Sequence, residues 1–180
     1  MKKILLVILS VSIILLSGCI ITNNFDTYHR LALKAIAQGS EESANEYARL
    51  LSGIAETNEQ KSIALMVSGF GNYLSEKYDD ALNDFSISNE YKKNDESVVG
   101  EILSYFMLNQ YEMINFKINE LDTISNNWAL KVNCEELIKT KIYEICALSS
   151  AILKNKILFD SFKSKIEPET IQKMEGFFFE

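Results

Sequence analysis

The sequence predicts an all-α chain, on three observations. A single proline, Pro168, and seven glycines occur in 180 residues, whereas strand-and-turn architectures use both repeatedly. Leu, Ile, Ala, Glu, Lys and Asn recur at helical spacing over long stretches. Short turn-forming runs interrupt that pattern: Gly39-Ser40, Thr57-Asn58, Lys92-Lys93-Asn94, Asn109-Gln110 and Ser125-Asn126-Asn127.

Taken in order, these interruptions delimit helices over 26–38, 41–54, 58–75, 79–92, 95–108, 111–122, 127–153, 155–165 and 168–178. Ser40 is placed as an N-cap, with Glu41 and Glu42 in the first turn, where the helix dipole favours acids. Pro168 suits the first turn of the last helix, because the N–H it lacks has no intrahelical partner there. Over 127–165 the residues Ala129, Val132, Leu137, Ile142, Ile145 and Leu148 make an apolar stripe. One or two longer helices closing the end of the array are expected there. The apolar tail Phe177-Phe178-Phe179 is expected to pack back onto the last groove, since an exposed triple-phenylalanine tail favours association.

The N-terminus has a different character. Met1-Lys2-Lys3 precedes an apolar run, Ile4 to Leu9, which resumes through Ile13-Ile14-Leu15-Leu16 and ends at Ser17-Gly18-Cys19. A basic head, a short apolar stretch and small residues before a cut site make a secretory leader; a membrane span needs roughly 20 apolar residues. Leu16-Ser17-Gly18-Cys19 resembles the lipobox of bacterial lipoproteins. The resemblance implies cleavage between Gly18 and Cys19, diacylglycerol on the Cys19 thiol and an acyl chain on the new amino terminus. Two or three chains anchor stably, at about 0.8 kcal/mol per buried CH2. The expected organisation is a leader over 1–18, a lipidated cysteine and tether over 19–26, and a helical domain over 27–180. No aspartate follows Cys19 directly; in a host with two membranes the family's sorting rule then favours the periplasmic face of the outer membrane.

Removing the leader from 180 residues leaves 162, one domain's worth of chain, and takes Lys2 and Lys3 with it, so a net charge of −7 becomes −9. An acidic body is a poor nucleic-acid binder and is repelled by anionic lipid heads. Cys134 and Cys146 lie twelve residues apart, about 18 Å along one helix, so a bridge between them requires that helix to break. The alternative is two buried thiols.

Paired helices with short links suggest a repeat, and the best window is Ser62 to Asp95. Leu65, Gly69, Tyr73, Tyr78, Ala81 and Phe85 there resemble the characteristic positions of a tetratricopeptide repeat. Ser68 departs from the usual leucine, Ser88 from the usual alanine, and no proline closes the unit near Lys93. Fainter copies flank it. Upstream, Ala32 and Ala44 keep the small positions; downstream, Leu103, Phe106, Tyr111, Ile114 and Ile118 keep the apolar spacing. The resemblance implies a short solenoid of antiparallel helix pairs with a C-terminal cap. It also implies that the first helix of each pair lines a concave face, which places Met66, Phe70, Tyr73 and Leu74 on a partner-binding wall.

No nucleophile elbow, metalloprotease motif or glycine-rich phosphate loop occurs in the sequence. His29 is the one histidine, and no CxxC is present, so neither a cofactor nor a metal is expected. The carboxylate groups Glu41, Glu42, Glu46 and Asp79, Asp80, Asp84 sit at helix starts, where the dipole accounts for them. The expected function is a non-enzymatic, membrane-anchored adaptor that holds an envelope protein or peptide. A small inhibitory or immunity-type lipoprotein that blocks an enzyme or toxin is the alternative.

Overall fold

A computed structural model describes residues 24–114, 116–117 and 135–178, with side chains from Ile142 onward in the last stretch. The described residues form helices and turns, with no strand among them. Helix α1 covers 24–37, α2 Glu41–Ile54, α3 Asn58–Leu74, α4 Tyr78–Tyr91 and α5 Asp95–Met107. Helix α6 is described over 111–114 and 116–117. Helix α7 covers Glu135–Ile152, α8 Lys156–Phe162 and α9 Pro168–Glu175, with 3-10 turns at Lys163–Lys165 and Gly176–Phe178. The leader, Gly18, Cys19, Cys134, the 125–127 turn and Phe179 lie outside the described residues.

Three boundaries differ from the sequence reading by more than one residue, one of them the last helix, which was expected to run to 178 but ends at Glu175 and passes into a 3-10 turn. The tether does not reach residue 26, because Asn24, Phe25 and Asp26 already belong to α1. Phe25 is 4% exposed and packs in a cluster with Leu51, Met66 and Val67, so it needs helical backbone to hold it inward. The helix expected over 155–165 tightens into a 3-10 turn after Phe162, as helix ends commonly do.

Four helices end in the same way. Gly39, Glu76, Asn109 and Lys154 follow α1, α3, α5 and α7 with φ of 67°, 60°, 57° and 54°. Each of these N–H groups donates to the carbonyl three residues back at 2.9–3.1 Å, and the next N–H donates to the carbonyl five back at 2.8–2.9 Å. This is the Schellman closure, which satisfies two carbonyls that a helix end otherwise leaves open. Only Gly39 is free of the Cβ penalty in this conformation. Five residues past each left-handed position a side chain is fully enclosed: Ala44, Ala81, Ile114 and Phe159. The turn and its buried follower therefore mark four helix hairpins, the fourth being α7–α8. A capping segment was expected there, and its turn has the same backbone as the other three.

The return turns use side chains instead. Thr57 and Gln60 form a capping box at α3, with Gln60 N–H donating to Thr57 Oγ1 at 3.1 Å and Thr57 N–H to Gln60 Oε1 at 3.2 Å. Asn94 Oδ1 accepts from Ser97 N–H at 2.7 Å at α5. Ser40, expected to cap α2, occupies the N-cap position, but its hydroxyl donates to the Ser43 side-chain Oγ at 3.0 Å and accepts no backbone N–H of the helix.

Consecutive helices from α2 to α5 pack on one another, α3 also touches α5, and α5 leads into α7, which carries α8 and α9. Phe85 of α4 fixes the crossing. Its ring is fully buried, and a Cβ placed on Gly69 of α3 would come within 2.7 Å of it. A Cβ on Gly100 of α5 would overlap the same ring. Two glycines thus let two helix backbones close on one aromatic ring.

Beside the ring lies a buried polar lattice. Ser62 donates to Lys92 O at 2.8 Å and Ser88 to Ser62 O at 2.7 Å. With the Ser88 proton committed, Ser97 donates to Ser88 Oγ at 2.8 Å. Asn94 Nδ2 uses its two hydrogens on Ser62 Oγ at 2.8 Å and Ser88 Oγ at 3.0 Å. Every proton has one acceptor, as a buried network requires. Ser68, the other departure from the repeat pattern, donates to Asp84 at 2.6 Å, and Asn72 joins it at 2.9 Å. Both unexpected serines therefore tie α3 to α4.

Candidate binding surface

The sequence points to Met66, Phe70, Tyr73 and Leu74, which lie four, three and one residues apart along one face of α3. The structure divides them. Met66 is 3% exposed and belongs to the core formed with α1 and α2, so it lines no accessible wall. Phe70, Tyr73 and Leu74 are half-buried. Phe70 stands edge-on to Phe85, with ring centroids 4.8 Å apart, and is held by it. Tyr73 stands edge-on to Tyr78 across the α3–α4 turn at 5.5 Å. Burial, then the neighbouring Tyr78, pushes the Tyr73 hydroxyl above its ordinary value.

The next turn carries the same device. Phe106 and Tyr111 meet edge-on at 6.0 Å across the α5–α6 turn, and Tyr111 Oη donates to Asn109 Oδ1 at 2.8 Å. Counted from the left-handed residue, Phe106 takes the place of Tyr73 and Tyr111 that of Tyr78. Around this second pair the surface is apolar: Met107 is 41% exposed, Met113 38% and Phe116 70%. The sequence reading gave α6 the stripe Tyr111, Ile114 and Ile118 and passed over Met113 and Phe116. These two are apolar residues off the core stripe, and that displacement was the available signal. Helix α6 is fastened from beneath. Lys117 Nζ lies 2.6 Å from Glu101 Oε2, whose side chain is 3% exposed, and this pair sits beside Tyr105.

The titratable groups serve structure. Asp84 accepts from Ser68 and Asn72, and Glu46 pairs with Arg49 at 2.8 Å. Glu41, Glu42, Asp79 and Asp80 are exposed at helix starts. His29 Nε2 is buried with no hydrogen-bond partner, and burial holds the imidazole below its ordinary value. At the C-terminal end a shallow depression is lined by Lys156, Phe159, Asp160, Lys163, Glu175 and Phe178. Lys163 there already bridges Glu175 at 2.6 Å and Asp160 at 3.1 Å over the Phe159 ring. Of the tail, Phe178 packs on Phe159 at 5.1 Å, while Phe177 remains 40% exposed. Cys146 is fully buried, and burial pushes its thiol up to about 12.

Among the described residues no group of three or more His, Cys, Asp or Glu is placed to hold a metal, and no helix is long and apolar enough to cross a membrane. No family model matches the chain, and searches of curated proteins and of solved structures return no match.

Proposed function

We propose that this chain is a lipoprotein anchored through Cys19, whose helical body is a short tetratricopeptide-like solenoid acting as a non-enzymatic adaptor in the bacterial envelope. In this reading α1, α3, α5 and α7 are the first helices of four hairpins, and α9 closes the stack. The observation that carries it is the half-exposed aromatic wall of Phe70 and Tyr73, held rigid by Phe85 and Tyr78. Rigid aromatics at a surface favour a protein or peptide partner, since little side-chain freedom is lost on contact.

Photo-crosslinking in the native envelope, with the probe at Phe70 and Tyr73 in turn, tests the reading. Adducts with one envelope component support the adaptor. An adduct with a secreted or foreign enzyme moves the assignment to the inhibitory alternative, which the exposed acids Glu42, Asp79 and Asp80 would serve by meeting a basic enzyme. Absence of any protein adduct removes both. For the anchor, Cys19→Ala is expected to abolish lipid labelling and leave the body unattached to the membrane; a labelled variant rejects the lipobox assignment.

A further inference from the structure

The turn between α5 and α6 combines three features that a folded core does not need. Met107 before the turn, and Met113 and Phe116 after it, are among the most exposed apolar side chains described, Phe116 leaving 70% of its surface in water. Met113 and Phe116 stand three apart and so share one face of α6. That face rests on a stiff base: the Phe106–Tyr111 pair locks the turn, and the Glu101–Lys117 ion pair clamps α6 to α5. Exposed apolar residues on a rigid support mark contact surfaces.

The charge around the patch selects its occupant. Glu112 is exposed beside Met113. Glu42 and Asp79 hold the same position, three residues past the left-handed residue, at the two preceding turns, and both are exposed. Exposed acid therefore recurs at the same position of three successive turns. An anionic bilayer is repelled by Glu112 and by a chain of net charge −7, and a second copy of the chain would bring acid against acid. A basic partner is attracted. Methionines adapt to irregular apolar faces, and an apolar strip on a helix pair accepts a partner helix through residues at i, i+3, i+4 and i+7.

We propose that Met113 and Phe116 form the docking face for a basic amphipathic helix of a partner protein, with Glu112, four residues before Phe116 on α6, reading the basic flank. This rests on the adaptor reading and names the chemistry of the partner.

The test uses the full chain in its native membrane, with a photo-crosslinking residue at Met113 and at Phe116, alone and combined with Glu112→Lys. Circular dichroism identical to the parent is required of each, as expected for exposed positions. Adducts at both positions are expected, mapping to a partner segment with apolar residues at helical spacing and Lys or Arg beside them. Glu112→Lys is expected to lower adduct yield at least fivefold. Adducts with phospholipid or with a second copy of the chain overturn the proposal, as does a protein adduct unaffected by Glu112→Lys. Protein capture by probes at Phe70 and Tyr73 alone would keep the adaptor reading and reject this face. Capture at none of the four positions rejects both.

Discussion

Around α3, α4 and α5, the buried residues Ser62, Ser88 and Ser97 reach across helix boundaries, each hydroxyl bonded to a neighbouring element. In α7, Ser149 is as deeply buried but turns back on its own helix, donating to Ile145 O at 2.7 Å. Ser104, in the last half of α5, already does the same toward Gly100 O. The crossings differ in kind too. Glycine backbones close on the Phe85 ring in the first region, whereas Ile142, Cys146, Ala147, Phe159 and Phe162 fill the second with side chains. A hydroxyl that bonds across a boundary fixes how two helices sit, because any slip leaves a buried donor unpaired. One that bonds within its helix leaves the packing free to adjust. The first region is built for a defined register, the second for bulk.

The sharpest break of that contrast is at the two rings. Phe85→Ala is expected to destabilise by about 3–5 kcal/mol, and by more than Phe159→Ala. Gly69 and Gly100 have no side chain to move into the void, which leaves Phe70 as the ring beside it, while Phe159 sits in a cluster of side chains with Phe178 packed on it. Equal losses in urea denaturation would erase the distinction. Gly100→Ala should cost about 1–3 kcal/mol through overpacking, despite the helix propensity that alanine adds. Gly53→Ala, with open space around it, should gain about 0.5–1 kcal/mol. The opposite signs are the readout. Ser88→Ala is expected to cost about 1–3 kcal/mol because it strands partners on three elements. Ser149→Ala should cost less than about 1 kcal/mol, since the carbonyl it caps keeps its helical partner.

The smallest effects lie in pH, where α1 and α7 answer at opposite ends. Burial holds the His29 imidazole below its ordinary 6.5, with Asp26 offsetting part of the shift. The unfolded chain then binds the extra proton first, so stability falls as pH drops from 6.5 through the folded value. Cys146 is raised from 9.0 to about 12, chiefly by burial, so the unfolded chain loses that proton first and stability falls as pH climbs through this window. Melting series should show His29→Asn flattening the acid limb alone and Cys146→Ala the alkaline limb alone. If either variant flattens both limbs, α1 and α7 are coupled.

Much of the fold was legible because its punctuation is local. Thr57, Asn94, Asn109 and Gly39 mark turns by their own chemistry, and the boundaries of α2 to α5 fall within one residue of where those turns place them. Glu76 and Lys154 carry no such mark, being residues that rarely adopt positive φ. The serine lattice was out of reach because Ser62 and Ser88 are 26 residues apart and meet only after α3 and α4 pack. The proposed wall of Met66, Phe70, Tyr73 and Leu74 follows from the resemblance to the repeat. That resemblance could not show that Met66 sits inside a cluster with residues of α1 and α2, because those contacts are made outside the α3–α4 pair.

The four Schellman turns also bear on descent. Their bonds join backbone to backbone, so the site accepts Gly, Glu, Asn or Lys while its geometry stays the same. Selection acting on such a turn preserves a shape and leaves the letters nearly free. A lineage built from these hairpins can therefore drift far in residue identity, and gain or lose a unit, while its members still superpose. Kinship among such chains should be sought in the interval between left-handed residues, here 37, 33 and 45 positions, before it is sought in any consensus.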